Sequence, residues 1–174
     1  MTRITKLGWT ALALAAAVIV VDQASKYWVV DVLRLQEGQT IPLFWPLRLT
    51  GVNNSGVSFG FLQGPHVLVR WMLTFFSLGV AIMLGFWVRQ TQRVLFATAM
   101  GLLMGGAIGN AIDRVRLGAV VDFIDASPLY FRWIFNVADS AISIGICFLL
   151  LDMLRQDGVE RARKAAVPGE GDAA

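Results

Sequence analysis

The sequence predicts an all-α membrane protein of four transmembrane helices, with a small extracytoplasmic β-sheet region in the first outer loop. Three observations carry this. The 174 residues are 56% hydrophobic and only 16% charged, with a mean hydropathy of +0.63, too apolar for an ordinary soluble domain. The apolar residues are gathered into four long runs, each close to the roughly 20 residues that cross a hydrocarbon core. Between the first two runs lies a stretch punctuated by Gly, Pro and Asn, the boundary residues of short strands.

The first run extends from about Leu7 to Val30. Arg3 and Lys6 before an alanine-rich core imitate a secretory signal peptide. The apolar stretch is too long for one, and Asp22, Gln23 and Lys26 stand where a cleavage region would be, so it reads as an uncleaved helix. In the loop from Asp31 to Pro65, Leu43–Thr50 and Val57–Leu62 read as strands of a small sheet lying on the membrane. The remaining helices are expected at about Val67–Val88, Val94–Asn110 and Trp133–Leu154, with a second, shorter outer loop from Arg114 to Arg132. Residues 1–155 then form one domain, and 156–174, charged and then rich in Ala, Gly and Pro, a disordered cytoplasmic tail.

Orientation follows from the short segments. Arg3, Lys6, Arg89, Arg93, Arg155, Arg161, Arg163 and Lys164 all fall at one end of a four-span bundle. The positive-inside rule makes that end cytoplasmic, and with it both termini. With a single cysteine, Cys147, and a single histidine, His66, the usual His/Cys zinc site is nearly excluded, and neither a metal nor a cofactor is expected. Cys147 reads as a core filler and His66 as an ordinary loop residue. A net charge of +3 without a basic cluster argues against nucleic acid.

Charges inside a membrane span cost about 2.5–3.5 kcal/mol each on insertion scales, so those present are functional candidates. Asp22 and Lys26 are i and i+4, acid first, the favourable order for an ion pair. Gly106, Asn110 and Asp113 share one face of helix three, and Asn136, Asp139, Ser140 and Ser143 one face of helix four. Asp139 lies roughly 9 Å along a helix from Trp133. Three helices thus bring polar groups to a similar depth near the outer face. Hydrogen-bonding glue between helices would explain Ser143, but it explains the acids poorly, because each buried carboxylate needs its own compensation. Gly101, Gly105 and Gly109 form two overlapping G-x-x-x-G steps that let another backbone approach, more readily within the chain than in a dimer.

The acids divide by their neighbours. Asp22 has Lys26 one turn away, and Asp113 has Arg114 and Arg116 nearby, which suits structural or orienting roles. Asp122, in Val120-Val121-Asp122-Phe123-Ile124, and Asp139 have no cation close in sequence, and apolar surroundings raise a carboxyl pKa toward useful acid–base values. If the loop folds Asp122 back over helix four, the two make an aspartic dyad. The segment from Asp125 to Arg132 then reads as a mobile lid over it, the alternative being a passive connector.

Five motifs, Asp22-Gln23-Ala24-Ser25-Lys26, Asn54-Ser55-Gly56-Val57-Ser58-Phe59-Gly60, Gly105 to Arg114, Val120 to Phe123 and Phe135 to Ser140, together resemble the motif set of the lipoprotein signal peptidase, or signal peptidase II, family across about residues 8–155. The resemblance implies an aspartic endopeptidase of the bacterial inner membrane, with its active site toward the periplasm. Its implied substrates are diacylglyceryl-modified prolipoproteins, cut before the lipidated cysteine, in contact with membrane lipids, and globomycin-type cyclic peptides inhibit the family. By motif, Asp122 and Asp139 match the catalytic pair. Asp22, Lys26, Asn54, Gly106, Asn110, Asp113, Arg114 and Asn136 match the residues that shape the site or touch substrate. Departures at Val57-Ser58, Gly60 and Ala111-Ile112 leave the acids untouched. The rival readings are a small proton-coupled transporter, a Ser/Lys peptidase built on Ser25 or Ser140, for which no nucleophile elbow is present, and a structural assembly factor.

Overall fold

Thr5 starts the first helix by caps at both levels of its chemistry. Its hydroxyl accepts from Gly8 N at 3.0 Å, satisfying one of the free N–H groups of the first turn. The same hydroxyl donates to Thr91 O at 2.9 Å, and Thr5 N donates to Arg89 O at 2.9 Å, so the chain's beginning is tied to the link between the next two helices. In the computed structural model, which describes residues 3–56, 66–129 and 133–166, four long helices follow: α1 (Lys6–Tyr27), α2 (His66–Val88), α3 (Val94–Leu117) and α4 (Val137–Ala166). α1 widens into a π-helical turn, Trp28–Val32. All four helices are long and apolar enough to cross a membrane.

α3 is the hub. Over its membrane-crossing window 56% is buried, against 22% in each of the other three. Its glycines explain the closeness. A methyl added at Gly101 would lie 2.7 Å from Ala11 O, and one at Gly105 2.6 Å from the Val18 Cβ. Gly106 has no room for a side chain against Ala138 O and Ile142 on α4. The glycine stripe therefore works within the chain, seating α1 and α4 on either side of α3. Beneath it lies a core of Ala11, Ala15, Leu84, Val88, Ala97, Ala99, Met100 and Met104. At the far end of the bundle from the sheet, Arg93 on the α2–α3 link pairs with the buried Asp152 of α4 at 2.7 Å.

A four-stranded antiparallel sheet covers the other end, in the order β1 (Thr40–Phe44), β2 (Leu47–Asn54), β3 (Val120–Asp125), β4 (Ile134–Phe135). Its apolar side rests on Val29 and Leu35, with Leu49, Val121 and Phe123 completing the cluster. Pro42, which has no N–H to give, sits on the edge strand, where none is needed.

Several expectations are corrected. Leu43–Thr50 is not one strand; the chain turns at Trp45–Pro46 and the run is split between β1 and β2. Val57–Leu62 lies outside the described residues. α3 runs on to Leu117, where Gly118 closes it in the left-handed conformation (φ 87°), so the second outer segment is shifted to 118–136 and contains β3 and β4. α4 begins at Val137 rather than Trp133, because Ile134 and Phe135 pair with Asp125 and Ile124. It continues through Ala166, so the tail expected to be disordered is helical over 156–166. Cys147 is exposed on the bundle's flank and fills no core. The root of the expected lid carries several contacts. Asp125 accepts from Thr50 Oγ1 at 2.8 Å and Ser127 N at 2.8 Å and pairs with Arg48 at 2.9 Å; residues 130–132 lie outside the described residues.

The α1–α3 seam supplies a stability test. Gly105→Val is expected to cost on the order of 2 kcal/mol by overpacking and to lower the melting temperature in detergent by several degrees. Gly79→Ala, with open space beside it, should leave melting unchanged or raise it. Equal melting temperatures for the two variants would mean that the seam tolerates a side chain.

Candidate active site

One turn of α1, one of α3 and the first turn of α4 meet at the level where β3 crosses. α1 contributes Asp22 and Lys26, both buried and one turn apart. The Lys26 ammonium lies 2.8 Å from Asp22 Oδ2 and 2.7 Å from Asp113 Oδ2. Two carboxylates around one cation leave an excess negative charge. The start of α4 faces it: Ala138 N donates to Asp22 Oδ1 at 2.9 Å, placing the carboxylate at the positive end of that helix. Asp113 is held further by Val121 N at 3.2 Å, which ties β3 to α3.

Asparagines carry the arrangement from this ion cluster to a second pair of acids. Asn110 Oδ1 accepts from Lys26 at 3.4 Å and from Asn136 Nδ2 at 3.2 Å. Its amide nitrogen therefore faces the other way and donates to Asp139 Oδ1 at 2.8 Å. Asn136 is the N-cap of α4, accepting from Asp139 N at 2.9 Å. Its own Nδ2 donates to Asp122 Oδ1 at 2.7 Å. Asn54, on β2, donates to Asp122 Oδ2 at 3.0 Å, and its Oδ1 is engaged by Gly56 N at 2.9 Å. Asp122 and Asp139 are thus brought into one cluster from a strand and a helix start, each held by neutral amide donors rather than by a cation.

Burial pushes the Asp122 carboxyl up to about 6, with the negative charge of Asp139 adding to the rise. The amides of Asn54 and Asn136 and the more distant Lys26 oppose it. Beside Asp139 opens a cleft of about 260 Å³ lined by Trp133, Phe135, Asp139, Ser140, Ser143 and Ile144. Two carboxyls in one cluster, one of them buried with a raised pKa, at the mouth of an apolar cleft, can take a proton from water and hand one to a leaving group. No three His, Cys, Asp or Glu side chains converge as metal ligands among the described residues.

Asp122, Asp139, Asp22, Lys26, Asn54, Asn110, Asp113 and Asn136 all join this network. Gly106 contributes no contact of its own; its missing side chain lets α4 and its acid come close to α3. Arg114 donates to Asn110 O at 3.4 Å. Two details differ from the sequence reading. The cation on Asp113 is Lys26, while neighbouring Arg116 instead reaches Gln23 Oε1 at 3.4 Å. Asp139 lies in the first turn of α4, not further along it. Gln23 was not among the expected site residues. Its Nε2 donates to Asp113 Oδ1 at 2.9 Å and Asp22 Oδ2 at 3.1 Å, bridging the two acids beside Lys26. The signal was its place on the turn shared by Asp22 and Lys26.

A family model described as signal peptidase (SPase) II matches residues 14–155. A lipoprotein signal peptidase of Caulobacter vibrioides is 51% identical over 150 residues, covering 86% of this chain and 89% of its own. One of Methylorubrum extorquens is 41% identical over 162 residues, covering 89% and 90%. Two solved structures described as bacterial membrane enzymes superpose with TM-scores of 0.76 and 0.74, at 27% and 30% identity. The first covers 100% of this chain and 99% of its own, the second 88% and 97%.

Asp122 should titrate near pH 6, seen in infrared difference spectra as a protonated-carboxyl band missing from Asp122→Asn. Asn54→Ala removes a donor to the ionised form, so the folded-state pKa should rise and the band persist to higher pH. A shift to lower pH would show that Asn54 does not stabilise the carboxylate.

Proposed function

The chain belongs to the signal peptidase II family, and from that premise we propose that it is an aspartic endopeptidase whose reacting pair is Asp122 and Asp139. It is a multi-pass bacterial membrane protease that removes the signal peptides of prolipoproteins. In the proposed mechanism the scissile bond precedes a diacylglyceryl-modified cysteine, and a water held between the two carboxyls attacks its carbonyl carbon. The ionised carboxylate takes a proton from the water, and the protonated carboxyl donates one to the carbonyl oxygen. When the tetrahedral intermediate collapses, the C–N bond breaks, the nitrogen takes the proton that water gave to the first carboxyl, and a hydroxyl of the intermediate returns a proton to the second, which restores the acid–base states. The acid and base roles are assigned to the pair rather than to one named residue.

The observation that carries this reading is that Asp122 and Asp139, from separate elements, are both held by asparagine amides and free of any direct ion pair among the described residues. Amide donors fix the carboxyls without surrendering a proton. Asp22, Asp113 and Lys26 form the charged base on which the asparagines stand, and Gly106 sets the spacing. Arg114 has a buried Nε with no hydrogen-bond partner among the described residues, a donor suited to substrate. The cleft beside Asp139 suits an apolar peptide arriving from the bilayer, and a globomycin-type cyclic peptide would occupy the same place.

The proposed orientation is both termini in the cytoplasm and the acids toward the periplasm, in the inner membrane. Its support is the gathering of Arg3, Lys6, Arg89, Arg93 and Arg155 at the end opposite the sheet. Residues 1–155 form the working domain in this reading, and α4 extends beyond it. The transporter alternative finds no support: Asp152, the buried acid toward the far end, is occupied by Arg93.

The purified protein should cleave a lipidated prolipoprotein in detergent. Asp122→Asn and Asp139→Asn should each lower turnover by at least about 100-fold while leaving a folded, membrane-inserted protein. Asp22→Asn should act mainly by lowering the melting temperature. Near wild-type turnover in a well-expressed Asp122 or Asp139 variant would remove the dyad assignment. Strong chelation should leave cleavage intact; loss on EDTA with rescue by a divalent ion would point to a carboxylate–metal site instead.

A further inference from the structure

The β1–β2 hairpin ends in Leu43, Phe44 and Trp45, which are 51%, 62% and 84% exposed. Nothing in the bundle needs three apolar side chains there, and Trp45 touches almost nothing of its own chain. The register locates this tip. β3 starts beside α3, where Val121 N reaches Asp113, and ends at Asp125, which pairs with Ile134 just before α4. Arg48 of β2 pairs with Asp125, so the tip projects past the α4 end of β3.

β3 runs at the level of the α4 start: Val121 O and Asp122 Oδ1 both accept from Asn136 Nδ2, at 3.3 and 2.7 Å. The far half of β3 pairs with Ile134 and Phe135, which lead directly into α4. The hairpin continues past Asp125 by two or three residues, 7–10 Å or so at strand rise. Its tip therefore lies beyond the segment that leads into α4, close to where the membrane-crossing part of that helix begins. Trp133, 63% exposed, marks the same boundary, and Arg48, beside the tip, keeps a partly exposed cation there. An apolar tip containing Trp, with a cation at its base, is the composition of a segment seated at a bilayer interface.

We propose that Leu43–Phe44–Trp45 is a membrane foot, inserted into the lipid leaflet beside α4. It is continuous with the lipid-facing surface of the bundle. The foot has a consequence for the site, because β2 carries Asn54 and pairs with the strand that carries Asp122. Seating the tip in lipid fixes the height of that sheet over Asp139, which is held independently by α4. The foot rests on the membrane placement of the chain and goes beyond the peptidase reading.

Spin labels decide it. In a Cys147→Ser background reconstituted into vesicles of phosphatidylethanolamine and phosphatidylglycerol, a label at Trp45→Cys should collide more with lipid-partitioning oxygen than with an aqueous nickel chelate. A label at Gln39→Cys, at the opposite end of β1, should show the reverse. Preferential access of the aqueous reagent to position 45 would overturn the proposal. So would shielding from both reagents, which would seat the tip on a second copy of the chain. This readout needs no catalysis, so its failure is distinct from failure of the peptidase reading. In addition, Phe44→Ser combined with Trp45→Ser should reduce cleavage of a bilayer-borne prolipoprotein by about tenfold or more, the partitioning worth of one such side chain at the least, and leave detergent-solubilised turnover unchanged. Equal loss in both settings would make the tip a structural part of the sheet and count against the foot.

Discussion

Lys26 puts one ammonium between two buried carboxylates, and the α4 N-terminus adds its partial positive charge to the same knot. Three chain segments far apart in sequence are committed to each other by this contact. Removing one partner leaves a charge without compensation in a low dielectric, a loss of about 3–5 kcal/mol in buried pairs. The interaction therefore sets register as well as adding stability. α1 cannot slide against α3, and α4 cannot start a residue earlier or later, without breaking it. Two of the three asparagines that orient the second pair of acids, Asn110 and Asn136, are placed from this fixed point.

Between the structural charges and the reactive ones stand only neutral groups. Asn110 and Asn136 have an acceptor and a donor each, so they pass orientation from Lys26 to Asp139 and Asp122 without passing charge. A lysine or arginine in either place would hold the acids as firmly but would drive them to full ionisation, and a dyad that shares one proton could not form. The use of asparagine separates two needs that conflict: rigid placement, and a carboxyl pKa near neutrality. Burial then does the remaining work on Asp122.

Most of the bundle was legible in the sequence because the bilayer demands long apolar runs whatever the tertiary contacts, and the glycine stripe of α3 has a spacing that only helix packing explains. The acids were legible because charges are expensive there. What escaped depends on partners distant in the chain. Asp113 has two arginines beside it in sequence, yet side chains one and three residues along the same helix end point elsewhere, and Lys26 of another helix takes the place. Ile134 and Phe135 look like the first turn of a helix until β3 is known to be their neighbour. Leu43–Thr50 has the composition of one strand, and only the pairing of Arg48 with Pro42 reveals a hairpin. Gln23 was visible in the motif, but its use as a bridge between two acids required both to be in place.

The capping of Thr5 bears on how the protein is made. α1 leaves the ribosome first, while the carbonyls that its capping residue engages belong to Arg89 and Thr91. In the bilayer, α1 must therefore wait through the synthesis of the whole sheet hairpin and of α2 before its first turn is fully satisfied. The close packing partner of its small residues, α3, arrives later still. Until then the first helix is an apolar anchor with a lysine and an aspartate paired only to each other. Assembly of the bundle is thus ordered from the C-terminal side: the last two helices to insert are the ones that give the first its final neighbours.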